Sequence, residues 1–289
     1  MTKEYKIKIG ARIHDLVRGD VSDLTEALKE LGADIVQLTL PKFVDWNESP
    51  QNYPIEKLKA LKKAFFVAGT EIKVISCYIN PLADEVEKEQ ELFCKFVDYC
   101  KELGVAVIGT ETGSVVNDLK DYELNLTEKN YERMKKCMEP LIAYANTNGI
   151  MVGVETVACY PICSSARFDR LTRDFKDADI CAIFDATNLL NIRNYSRQEE
   201  IFEEFIRTNA KKIKVVHLKD FFLKEGRLTE TSLFDGRLNV EYVIAKLLEY
   251  GAEMNIIIEN CRSVLEYRSI VGRLRQIISK VSGGIEKCK

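Results

Sequence analysis

Four short apolar runs, each closing on a polar residue, constrain this chain more than any other feature. They are Val152-Gly153-Val154-Glu155, Ala182-Ile183-Phe184-Asp185, Val215-Val216-His217 and Ile256-Ile257-Ile258-Glu259. Runs of this length and branched content read as buried strands. Their end residues follow one another at intervals of 30, 32 and 42, and each interval has room for a helix, as in successive βα units. If the strands are parallel neighbours in a closed barrel, all four side chains reach the same mouth, because chemistry in such folds gathers at the carboxyl ends of the strands.

The rest of the chain repeats the same alternation. A first strand from about Tyr5 to Gly10 leads into Ala11-Arg12-Ile13-His14-Asp15, and a helix runs from about Ser22, a candidate N-cap, to Leu31 with Gly32 as its stop. Ala33 to Leu38 is strand two, and Pro54 opens a helix over 55–68. Ile72 to Ile79 is strand three, followed by a long amphipathic helix to Leu103, and Val105 to Ile108 is strand four, ending in Gly109-Thr110-Glu111-Thr112-Gly113. Thr127 caps a helix that puts Met134, Met138, Leu141, Ile142 and Ala145 on one face, and Asn239 caps another that ends at Gly251. Eight strands alternating with eight helices predict an α/β fold, a (β/α)8 TIM barrel in a single domain over residues 1–280, with 281–289 as a C-terminal tail. The first βα turn has no Gly-x-Gly-x-x-Gly fingerprint, which speaks against an open doubly wound sheet.

Composition excludes several function classes. A net charge of -3 gives no basic excess for a nucleic acid. No stretch approaches the roughly 18 apolar residues of a membrane span, and the start Met1-Thr2-Lys3-Glu4 lacks the apolar region of a signal peptide. Nine cysteines are an odd number without a framework spacing, as expected of thiols in a reducing cell. The expectation is a cytoplasmic protein with a small-molecule partner, no nucleic acid and no membrane, free to form a homo-oligomer.

Several local settings resemble the sugar phosphate isomerase/epimerase family of xylose isomerase-like TIM barrels. They are Phe184-Asp185-Ala186-Thr187-Asn188-Leu189-Leu190, His217-Leu218-Lys219-Asp220, Ile258-Glu259-Asn260, the opening Gly10-Ala11-Arg12-Ile13-His14-Asp15 and the Gly109–Gly113 turn, so the resemblance spans nearly the whole chain. It implies a single divalent metal site, Mn, Zn, Co or Mg, formed by Glu155, Asp185, His217 and Glu259. Where many epimerases of the family carry a histidine three residues after the strand-six aspartate, this chain has Asn188. The Gly-Glu-Gly signature usual before helix seven is reduced to Phe234-Asp235-Gly236-Arg237. The family also includes an abasic-site endonuclease whose three zinc ions need many histidines, and this chain has two.

Chemistry follows from that donor set. Taken singly, a carboxylate at a strand end is equally a helix cap or an ion-pair partner. Together, three hard oxygens and an imidazole suit a divalent ion that polarises a carbonyl and stabilises an enediolate. Glu155 and Glu259 are the expected catalytic acid and base, approaching a bound sugar from different sides. His14, Glu111, Asn188, Arg193 and Lys219 are the candidate substrate-binding residues, and Trp46 and Tyr78 could wall a sugar face. The expected activity is isomerisation or epimerisation of a small sugar, keto-sugar or sugar phosphate. An inosose-type dehydratase and a non-catalytic sugar-binding barrel are the alternatives.

Overall fold

The computed structural model describes residues 7–19 and 21–287. The expected start of the first strand at Tyr5, the side chain of Ser22 and the last two residues of the tail lie outside them. Eight parallel strands close into a barrel: β1 (Ile7–Arg12), β2 (Ile35–Leu38), β3 (Glu71–Ser76), β4 (Val107–Thr110), β5 (Met151–Glu155), β6 (Ile180–Asp185), β7 (Ile213–Leu218) and β10 (Met254–Ile258). Neighbours in chain order pair throughout, and β10 pairs with β1 to close the circle. The TIM barrel expectation is therefore correct.

Helices wrap the outside: α1 (Val21–Leu31), the short α2 (Leu40–Phe43), α3 (Ile55–Ala68), α4 (Val86–Leu103), α5 (Glu128–Thr147), α6 (Ser165–Asp174), α7 (Gln198–Asn209), α8 (Val240–Tyr250) and α9 (Val264–Lys287). Their ends follow local chemistry. Thr127 and Asn239 accept the Asn130 and Tyr242 amides as N-caps, and α3, α4 and α8 stop where Gly69, Gly104 and Gly251 adopt the left-handed conformation. Helix α9 runs through to Lys287, across most of the segment expected as a C-terminal tail. No described helix is long and apolar enough to cross a membrane, and the eight described cysteines carry free thiols.

Two apolar regions hold the barrel. A large core lies between strands and helices, and a small one fills the barrel interior with Ile35, Val74, Val107, Cys181, Ile183, Val215 and Ile257. The interior has limited room. A Cβ on Gly109 would come within 2.8 Å of Ile183 Cδ1, and one on Gly153 within 3.0 Å of the same atom. These two glycines thus make space for one isoleucine.

One pair of strands stands outside the barrel. Directly after β7, β8 (Asp220–Lys224) and β9 (Arg227–Thr231) form an antiparallel hairpin. Glu225 and Gly226 at its tip have φ of 50° and 75°, the positive values that a two-residue turn of this twist demands. Asp220 fixes the hairpin's root: its carboxylate accepts the amides of Phe221, Phe234, Gly236 and Leu238 at 2.7–3.2 Å.

Candidate active site

Strand geometry explains why polar residues meet at one end. Side chains two apart on a strand share a face, so each interior apolar residue predicts what stands one layer higher. Ile183 leads to Asp185, Val215 to His217, Ile257 to Glu259, Gly153 to Glu155, Gly109 to Glu111, Val74 to Ser76 and Ile35 to Gln37. Every one of those higher positions is polar. The layer above the apolar plug is the mouth of the barrel.

Glu155, Asp185, His217 and Glu259 are all buried there. Asp185 and His217 are direct register partners on β6 and β7, and one ligand atom from each of Glu155, Asp185 and His217 lies within 4.8 Å of the others. His217 Nδ1 is 3.3 Å from Glu259 Oε1 and 3.5 Å from Glu155 Oε2. Neither ring nitrogen has a hydrogen-bond partner of good geometry. Such orphaned buried nitrogens are costly unless something coordinates them. Glu155, Asp185 and this imidazole fit a divalent cation, with Glu259 beside them.

Each carboxylate has a distinct setting. Asp185 Oδ1 accepts the Asn188 amide at 2.9 Å within the turn after β6 and caps no helix, while the other oxygen faces Lys219. Burial, then the nearby Glu155 and Glu259, push the Asp185 carboxyl up to about 6, against the pull of Lys219. Burial would raise Glu259 as well, but Lys219, His217 and Arg12 hold it well below the usual carboxylate range. Glu155 Oε1 accepts from Asn188 Nδ2. Burial and the field of Glu155 push Glu111 up to about 8.

Lys219 sits within the cluster. Its ammonium is 2.8 Å from Asp185 Oδ2, 3.0 Å from Glu259 Oε2 and 3.3 Å from Glu230 Oε1 on the hairpin. His14 is buried beside the cations Arg12 and Lys42, and burial together with their charges lowers its imidazole to about 4. It lines an open cleft of about 600 Å³ with Asp15, Leu16, Arg18, Asn260 and Cys261, above the ends of β1 and β10. Arg193 lies apart: its exposed guanidinium pairs with Glu123 and covers the Tyr122 ring. Trp46 packs edge-on against Tyr53, with ring centroids 5.0 Å apart.

Residues 25–277 match the sequence model of xylose isomerase-like TIM barrels. The chain belongs to that family. No curated protein matches it in sequence. The barrel of this xylose isomerase-like chain is similar to that of a xylose isomerase domain protein from Planctomyces limnophilus, at 17% identity and a TM-score of 0.72 over 97% of this chain and 100% of that one. It is similar to a xylose isomerase-like TIM barrel protein from Mycobacterium smegmatis in complex with magnesium, at 15%, 0.72, 97% and 100%. An L-ribulose 3-epimerase gives 15%, 0.72, 98% and 98%.

Three elements of this xylose isomerase-like mouth escaped the sequence reading. Arg12 donates from Nη1 to Glu259 Oε2 at 3.1 Å and from Nε to both oxygens of Asp15, joining β1 to the residue after β10. Gln37 Nε2 donates to Ser76 Oγ at 2.8 Å and to the Tyr78 hydroxyl at 2.7 Å. Glu230 comes from the hairpin. Alternation along β1 and β2 carries the signal for the first two; nothing in the sequence places Glu230.

Proposed function

We propose that this chain is a divalent-metal-dependent isomerase or epimerase of a small sugar, keto-sugar or sugar phosphate. The observation that carries this reading is the pair Glu155 and Glu259 on either side of His217, buried with Asp185 in the polar layer of the mouth. The likeness to an L-ribulose 3-epimerase and to a magnesium-bound barrel supports the same reading. An ion held by Glu155, Asp185, His217 and Glu259 would supply Lewis-acid polarisation of a substrate carbonyl.

Proton transfer then belongs to the protein. Arg12 grips Glu259 and favours its anion, which makes it the weaker base of the two glutamates and, once it has taken a proton from solvent, the readier donor. Asn188 holds one Glu155 oxygen and leaves the other facing the cluster. We therefore assign the first abstraction, of a proton next to the substrate carbonyl, to Glu155. Return of that proton by Glu155 to the neighbouring carbon gives isomerisation. Delivery from the opposite face, where Glu259 stands, gives epimerisation.

The test is a screen of aldo- and keto-sugars with metal-loaded protein in D₂O, read as a mass increase of recovered sugar. Exchange with interconversion supports the proposal. Loss of water from a keto-inositol, read as enone absorbance, would point instead to a dehydratase. Tight binding without exchange would leave a sugar-binding barrel.

A further inference from the structure

Lys219 occupies the space between two of the four metal donors. Its side chain is 4% exposed, and its ammonium lies on Asp185 Oδ2 and Glu259 Oε2 at once. A divalent ion on these oxygens and an ammonium at 2.8–3.0 Å from the same atoms are like charges at close quarters, with little water to screen them. Both cannot keep those places. The third partner of Lys219 is Glu230 Oε1 at 3.3 Å, a carboxylate that is no part of the donor set.

Glu230 is placed to receive that charge. It stands on β9, the returning strand of the hairpin that starts one residue after Lys219. The hairpin's root is fixed by Asp220, whereas Glu230 is 47% exposed, with Oε2 accepting from Asn260 Nδ2 at 3.2 Å. Asn260 in turn donates its amide to Asp15 and accepts from Arg12, which also holds Glu259. The hairpin therefore touches the donor set through Lys219 on one side and through Asn260 and Arg12 on the other.

We propose that Lys219 is a positioning residue that exchanges with the metal ion. Without metal it neutralises Asp185 and Glu259; with metal its ammonium turns onto Glu230 and draws the β8–β9 hairpin toward the mouth. The proposal rests on the metal reading of the site and adds the coupling to the hairpin. No covalent step is involved.

The experiment uses the full chain with Mn²⁺ alone as probe. Calorimetric titration of wild type, Lys219→Met, Glu230→Gln and the double variant should show Lys219→Met binding Mn²⁺ at least about ten-fold tighter. Glu230→Gln should bind several-fold weaker than wild type. In the Lys219→Met background the Glu230 change should lose its effect, because Glu230 acts through Lys219. Hydrogen exchange supplies the second readout: Mn²⁺ should protect amides 221–231 in wild type and not in either single variant. The exposed Glu230→Gln change keeps this readout available if Lys219→Met does not fold.

Unchanged affinity in Lys219→Met would overturn the exchange. So would an undiminished Glu230→Gln effect in that background, which is a simple field effect, or hairpin protection indifferent to Mn²⁺. Wild type that binds no Mn²⁺ overturns the metal reading itself, whereas wild type that binds with any of these failures overturns the exchange alone.

Discussion

The guanidinium of Arg12 donates to Glu259 Oε2 at 3.1 Å, so the first barrel strand holds a carboxylate that follows the last one. The contact closes the mouth of the barrel with charge just above the β1–β10 ladder that closes it with backbone hydrogen bonds. Replacement by methionine leaves Asp15 without its charged partner and Glu259 with Lys219 and His217 as its remaining neighbours of opposite charge. The expected loss is about 2–3 kcal/mol, below the full cost of orphaning a buried charge because the Arg12 side chain is one-fifth exposed. Urea denaturation measures it. Lysine should rescue little, since one ammonium cannot reproduce the fork that grips both carboxylates.

Metal content is the most direct check on the site. Protein prepared without chelator, or reloaded after chelation, should carry one divalent ion per chain by elemental analysis. His217→Ala should lose that ion by weakening the donor set while its far-ultraviolet circular dichroism stays that of a folded barrel, because the apolar plug lies a layer below. Unfolding of the variant would mean that the histidine is a structural residue.

The two glutamates should separate in kind. At saturating metal, Glu155→Gln should lower turnover by about 10²-fold or more and abolish deuterium wash-in at the substrate carbon. Glu259→Gln should also lower turnover, yet still show wash-in from solvent, because the abstraction assigned to Glu155 survives. Metal occupancy measured on the same samples separates proton transfer from ion loss. Normal turnover in metal-replete Glu155→Gln would sink the assignment.

Acid sensitivity should carry the signature of His14. Its imidazole is lowered to about 4 in the folded chain, against about 6.5 when unfolded. Between these values the unfolded chain binds a proton that the native state refuses, so this contribution to stability is present above pH 6.5 and lost as pH falls toward 4. A His14→Gln variant should show a flatter fall in urea midpoint across that window. An unchanged slope would place the imidazole in a more solvated setting than the cleft wall.

Asp220→Asn tests the hairpin's root. One carboxylate oxygen takes the amides of Phe221 and Leu238 and the other those of Phe234 and Gly236. Asparagine turns one of these acceptors into a donor facing two amides, at an expected cost of about 2 kcal/mol or more. Thermal denaturation reads it, with the hairpin amides losing hydrogen-exchange protection before the barrel does.

Most of the barrel was legible because each strand announces itself by a run of branched residues and each helix by its cap or its glycine stop. The meeting of Glu155, Asp185, His217 and Glu259 was legible because those runs end on them. Arg12 and Gln37 were missed although the same parity places them: Gln37 stands two beyond the interior Ile35. The hairpin over 220–231 was missed, although Glu225-Gly226 between alternating residues is a tight-turn pattern. Lys219 illustrates a harder limit. Its partners Asp185 and Glu230 belong to separate elements, so only the folded chain shows which carboxylates it joins. Arg193 fails for the opposite reason, since its loop carries it outward to Glu123.

Ile183 fills the room vacated by Gly109 and Gly153, so a single side chain rooted in β6 forms the floor beneath the Glu155 and Asp185 side of the mouth. The depth of the chamber is thus decoupled from the polar residues that ring its mouth. A shorter side chain at 183 would lower the floor, and an alanine at 109 or 153 would tilt it, with Glu155, Asp185, His217 and Glu259 left on their strands. The height of this floor can therefore be reset by exchanging the plug, while the polar crown above it stays in place.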